Sequence, residues 1–184
     1  MLPRLVGDTR QFVDQLFSTI GPLLAGFDFP IGVPVSYGQL IGVADFPSAL
    51  DVFGQGEWVE FHRVAETPQQ VSRIRPFYPR ASTGGSRQVH LRDGLGIEFE
   101  ALRRRCERAA SNRRAASPLF WTLGGNQVGK AALSGWQEVI APARRRGARL
   151  WPFEGSLKEL AMARVPVVAE TYPAEAFHHI LICN

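Results

Sequence analysis

The first clear pattern in the chain is a helical one. Between Asp8 and Gly21 the apolar residues Phe12, Val13, Leu16, Phe17 and Ile20 recur at the 3.6-residue period that turns one face toward a core. Asp8 or Thr9 can cap the start of this helix, and Gly21-Pro22 stops it. The next apolar run, 23–27 (LLAGF), is too short for a helix and breaks at once into Asp28, Pro30, Gly32 and Pro34. It reads as a buried strand. Two further runs have the same character: 148–155 (ARLWPFEG) and 165–170 (VPVVAE), the latter rich in β-branched residues.

The long stretch between the first strand and the other two is of another kind. Residues 30–46 read as an irregular excursion, and 47–54 and 57–65 as short helices. At 67–74 a helix is expected with Thr67 as its cap and Pro68 at its first position. The segment 75–88 (RPFYPRASTGGSRQ) reads as a loop and as the most mobile part of the chain. A helix with one strongly basic face is expected over 97–110. Over 117–147 an apolar segment leads through a Gly-rich loop into a helix, and further helices are expected at 156–163 and 173–180. Helices alternating with short apolar strands predict an α/β fold, and 184 residues suit a single domain.

Composition narrows the function classes. Hydrophobic residues make up 45% and charged residues 21%, which is globular and not disordered. No apolar run reaches the roughly 18 residues of a membrane span, and the N-terminus has no apolar core of signal-peptide length. Cys106 and Cys183 lack ligand-like spacing, so neither a zinc site nor a disulfide framework is expected, and a reducing cytoplasm is the default location. The net charge is +4 and unevenly spread. RRRCER (103–108), NRR (112–114) and RRRG (144–147) crowd into one middle segment, which suits a polyanionic partner such as nucleic acid or a set of solvated helix faces.

The candidate chemistry lies at the strand ends. Asp28, Glu154 and Glu170 each follow an apolar strand and precede a Pro or Gly turn. Parallel strands put their C-terminal ends along one edge, where open α/β sheets bind ligands. Carboxylates gathered there repel one another unless a cation intervenes, and oxygen-only ligands suit Mg²⁺ or Mn²⁺. The bland alternative is that these are ordinary turn acids. GGNQVGKA places Gly124, Gly129 and Lys130 at P-loop spacing, but Ala131 stands where a Ser or Thr should hold Mg²⁺. A looser role in contacting a substrate phosphate survives that objection. Trp121, Trp136 and Trp151 have apolar neighbours and read as core rather than stacking platforms. His178 and His179, side by side on one helix, face different directions and make a poor metal pair.

Five stretches in order, GFDFPIGVP, RPFYP, LFWTLGGNQVGKAALSGW, LWPFEG and AETYPAEAF, give a resemblance across most of residues 10–180. The chain resembles the bacterial domain-of-unknown-function family of predicted RNase H-like nucleases. The resemblance implies a partial RNase H-like α/β sheet with a large helical insertion between two parallel strands, and metal-dependent nuclease chemistry. It implies Asp28 and Glu170 as catalytic carboxylates holding Mg²⁺ or Mn²⁺; Glu154, from the strand-end pattern alone, is a candidate further metal ligand. Arg75, Gln127, Lys130 and Tyr172, within the same motifs, are the candidate substrate contacts, with nucleic acid as the substrate class. The family's N-terminal hairpin and its C-terminal acid-bearing helix have no counterpart in residues 1–184, so weak or absent nuclease activity is expected. The first strand should then have an open edge, through which the chain forms a homodimer or which a segment such as 75–90 covers. The alternative function is a non-catalytic module that binds nucleic acid or a protein.

Overall fold

The structure, a computed structural model, describes residues 5–18, 21–81, 85–110, 114–124 and 128–172. In chain order its elements are α1 (Thr9–Phe17), β1 (Leu24–Phe27), α2 (Val35–Ile41), α3 (Phe46–Val52), α4 (Val89–Leu95), α5 (Val128–Gly135), α6 (Ala141–Arg145), β2 (Arg149–Trp151), α7 (Leu157–Ala163) and β3 (Val167–Glu170). A π turn, Trp136–Ile140, joins α5 to α6, and short 3-10 turns occupy much of the chain between α3 and α5. The chain forms two compact units, one from residues 1–31 and 134–184 and the other from residues 32–133.

The first unit holds the sheet. β1, β3 and β2 lie in that order, all parallel. Val168 pairs in register with Ala25 on one side and Leu150 on the other, and these three small or branched side chains are all buried. α1 forms where the period predicts it: Asp8 caps it by accepting a hydrogen bond from the Gln11 N–H (2.7 Å), and Val13 and Phe17 supply its buried side. It packs against the π turn and α6. α7 starts with a capping box in which Ser156 accepts from the Glu159 N–H and Glu159 reaches back to the Ser156 N–H.

The second unit is held together by aromatic rings. Phe53 stacks on Phe61 at 3.5 Å, and Phe120 meets Tyr37 and Phe77 edge-on at 4.6 and 5.1 Å. Burial raises the Tyr37 pKa, so the phenol stays protonated and donates to the Arg73 carbonyl at 2.5 Å. Among the described residues this unit has isolated bridges, Ser72 with Arg75 and Tyr78 with Trp121, in place of strands.

Several expectations for this unit are corrected. The predicted irregular stretch 30–46 contains α2, which ends on Gly42 in the left-handed region. Residues 57–65 form no helix beyond the 3-10 turn Gly56–Trp58, and 67–74 only the turn Pro68–Gln70, with Thr67 at the cap position as predicted. The expected basic helix over 97–110 is two 3-10 turns, Phe99–Leu102 and Arg105–Glu107. Its backbone leaves the helical region at Arg103 and Arg104 because their side chains have non-helical work. Arg103 Nε donates to the Ala116 carbonyl at 2.8 Å, and Arg104 is buried against Glu107. The loop at 75–88 begins with Phe77 and Tyr78, both fully buried, which is a core position and not a mobile one. The helix expected at 173–180 lies outside the described residues.

Candidate functional site

The site grows from the pairing of β1 with β3. Phe27 stands opposite Glu170 in a parallel register, and the Thr171 N–H donates to the Phe27 carbonyl at 2.9 Å. Asp28 directly follows β1 and Glu170 ends β3, so both acids lie at the C-terminal ends of adjacent strands.

Glu170 fixes the loop that carries Asp28. Its Oε2 accepts from the Ile31 N–H at 2.7 Å, and its Oε1 accepts from the Tyr172 hydroxyl. The loop is held at two further points. The Trp136 indole donates to the Pro30 carbonyl at 2.6 Å, and the Phe29 ring lies so close over Gly135 that any Cβ there would collide with it. Phe29 also meets Phe27, ring to ring, at 5.4 Å. Asp28 itself is exposed, and no hydrogen bond or ion pair engages its carboxylate among the described residues. The arrangement is therefore a solvent-facing carboxylate on a loop pinned by a second carboxylate.

Glu154 does not join them. Its Oε2 accepts from the Leu150 N–H (2.7 Å) and from Arg144 (2.8 Å), and its Oε1 from Arg149 (3.0 Å). Its own N–H donates to the Leu150 carbonyl at 3.0 Å. Leu150 points both main-chain groups away from β3, so Glu154 caps the outer edge of β2. The strand-end pattern identified the acid, but the chain turns it back along its own strand.

The divalent ion that the resemblance implies can be tested against this donor set. Mg²⁺ is commonly held by one or two carboxylates, several waters and substrate phosphates. Asp28 and Glu170 supply two carboxylates of the right chemistry at this sheet end, of which Asp28 is exposed and Glu170 is already bonded to Ile31 and Tyr172. Among the described residues no group of three His, Cys, Asp or Glu side chains converges, so a two-ion cage is not built from them.

The proposed substrate contacts fall as follows. Tyr172 is at the site, donating to Glu170. Lys130 is exposed on α5, in the second unit. Arg75, also in the second unit, donates to the Val64 carbonyl (3.0 Å) and faces Glu60 at 3.8 Å, so its guanidinium braces its own unit. Gln127 lies outside the described residues. Gly129, the second glycine of the P-loop-like run, packs so tightly on the Leu119 carbonyl and Thr122 that a Cβ would not fit; it serves helix packing. Trp121 and Trp136 are buried, as expected of core residues. Part of the arginine clusters is spent on structure: Arg104 on Glu107, Arg144 on Glu154 and Arg146 on Asp14, with nearby Arg149 also on Glu154. Sequence reasoning missed the role of Ile31 and Trp136 in pinning the loop, because both contacts join residues more than 100 positions apart.

These features define a class: a mixed α/β protein whose small parallel sheet carries acids at the C-terminal ends of two adjacent strands. No family model matches the chain, and neither a curated protein nor a solved structure does. Among the described residues no helix is long and apolar enough to cross a membrane.

Proposed function

We propose that the chain is a metal-dependent nuclease of RNase H-like type, acting at the edge formed by Asp28 and Glu170. The observation that carries this reading is the Phe27–Glu170 register, which brings the two acids to one end of neighbouring parallel strands. Asp28 would hold Mg²⁺ or Mn²⁺ directly, and Glu170, oriented by Tyr172 and the Ile31 N–H, would complete the protein's share of the ligands. A bound ion of this kind supplies an activated water and charge stabilisation for phosphodiester hydrolysis.

The second reading is a non-catalytic module that binds nucleic acid or protein. It is favoured by the withdrawal of Glu154 into the edge of β2, which leaves a donor pair where a carboxylate cluster was expected. One experiment separates the two. The purified chain is incubated with labelled single-stranded DNA, single-stranded RNA and an RNA–DNA hybrid, with and without Mg²⁺ or Mn²⁺. The nuclease reading expects metal-dependent cleavage that Asp28→Asn abolishes without lowering the melting temperature, since Asp28 is exposed. Retained binding without cleavage of any substrate supports the module instead.

A further inference from the structure

The chain passes between its two units twice, leaving the first after Ile31 and returning at Ser134. On the first-unit side the two passages are fastened to each other. The Trp136 indole donates to the Pro30 carbonyl at 2.6 Å, a buried bond, and the Phe29 ring fills the space where a Cβ of Gly135 would lie. The first passage is also tied to the sheet. Its last residue, Ile31, is 4% exposed and donates its N–H to Glu170 Oε2 at 2.7 Å. Directly beyond it Gly32 has a φ of +128°, in the region that favours glycine.

Glu170 is therefore a shared group. It ends β3 beside Asp28, and its carboxylate is also the acceptor that holds the first passage. Each of its oxygens carries a donor: Oε2 the Ile31 N–H, and Oε1 the Tyr172 hydroxyl. Bonds to a charged acceptor belong to the stronger class. Both donors turn the positive end of a dipole toward the carboxylate. A cation drawn to the same oxygens meets those positive ends at close range and is repelled by them.

We propose that Glu170 is a latch: uptake of a divalent ion at the Asp28–Glu170 edge and retention of the passage at Ile31 compete for one carboxylate. This coupling rests on the reading of that edge as a metal site. It regulates the site by reciprocity. By whatever factor the Ile31 and Tyr172 donors weaken binding of the ion, the ion weakens their hold on Glu170. Trp136 and Gly135 stand outside the competition, because they fix Pro30 and Phe29 without using the carboxylate. Loading the ion therefore loosens the passage at Ile31, next to Gly32, and leaves the Trp136 bond in place.

The test is Mg²⁺ titration calorimetry together with hydrogen exchange followed by NMR on the full chain, neither of which depends on cleavage. Saturating Mg²⁺ should speed exchange of the Ile31 amide at least about fivefold, the lower end of ordinary coupling between sites, and leave the Trp136 indole proton unchanged. Asp28→Asn should abolish both the binding and the effect. Tyr172→Phe removes one donor and nothing else, and should bind Mg²⁺ at least about fivefold more tightly than wild type. Binding by Tyr172→Phe alone supports the latch as well. An Ile31 amide whose exchange Mg²⁺ leaves unchanged or slows overturns the latch, as does a Tyr172→Phe variant that binds Mg²⁺ no better than wild type; the metal site survives either result. No Mg²⁺ binding by wild type or Tyr172→Phe, or binding that Asp28→Asn leaves intact, overturns the latch and the metal site together.

Discussion

Glu154 offers the sharpest way to separate a structural carboxylate from a metal ligand. The structure gives its side chain three donors: the Leu150 N–H, Arg144 and Arg149. The three are unequal. Arg149 is more than half exposed, so its pair is screened and adds little. The pair with Arg144 is better shielded, with side chains 20% and 13% exposed. The bond from the Leu150 N–H to a charged acceptor belongs to the stronger class, about 1.5–3 kcal/mol. Glu154→Ala should therefore cost about 2–3 kcal/mol, most of it from the stranded Leu150 N–H and the half-buried Arg144. At about 2–4 °C per kcal/mol for a chain of this size, the melting temperature should fall by roughly 5–10 °C. Glu154→Gln keeps a carbonyl oxygen for Leu150 and loses the ion pairs, so its cost should be about 1 kcal/mol. The assay is urea unfolding of wild type, Glu154→Ala, Glu154→Gln, Arg144→Ala and the Glu154/Arg144 double variant. A coupling of at least about 0.5 kcal/mol between the two positions is expected of groups in contact. The reasoning fails if Glu154→Ala unfolds like an ordinary surface variant, within about 0.5 kcal/mol of wild type, while abolishing metal-dependent cleavage. That outcome would return the carboxylate to the metal.

Two further predictions concern the second unit. Glu107 is 2% exposed and accepts from both the N–H and the Nε of Arg104, each at 2.8 Å, so Glu107→Ala leaves a buried guanidinium without this partner. It should lose about 3–5 kcal/mol by denaturant unfolding, whereas a loss below 1 kcal/mol would show that the pair is dispensable. Burial lowers the pKa of His62, so the fold favours its neutral form. The unfolded chain takes up this proton near pH 6.5. The His62 contribution is thus complete above that pH and is lost as pH falls toward the folded pKa. Between pH 7.5 and 5.5 the wild type should lose more stability than His62→Gln; equal losses would remove His62 from the account.

The sheet was legible because its determinants are local. Apolar runs of four to six residues, closed by Pro and Gly, located β1 and β3 to within two residues, and the acids that follow them were visible as breaks in the apolar pattern. The adjacency of those strands was implied by the resemblance and not by periodicity, since a period marks a strand without naming its neighbour. The segment 97–110 shows what a period cannot see. Its composition is that of a good helix, rich in Ala, Glu and Arg. Yet Arg103 reaches the Ala116 carbonyl and Glu107 accepts the Ala116 N–H on its own carbonyl, so tertiary bonds to 116 displace the i to i−4 ladder.

The arginines teach a related lesson about charge. Read as clusters, 103–108 and 144–149 point outward to a polyanion. In the fold, Arg104, Arg144, Arg146 and Arg149 each meet a carboxylate of this same chain, and Arg103 pairs with Glu100 as well as with Ala116. A cation already held by an internal carboxylate contributes a much weaker field at a phosphate, so net charge per segment overstates the pull on nucleic acid. Among the described residues Arg105, Arg108, Arg114, Lys130 and Arg145 are exposed and take part in none of these pairs. Any nucleic-acid affinity should therefore rest on a few phosphate contacts and show a shallow salt dependence, because the slope of log K against log salt scales with the number of phosphates neutralised. A steep slope, with many phosphates neutralised, would refute this reading of the arginines.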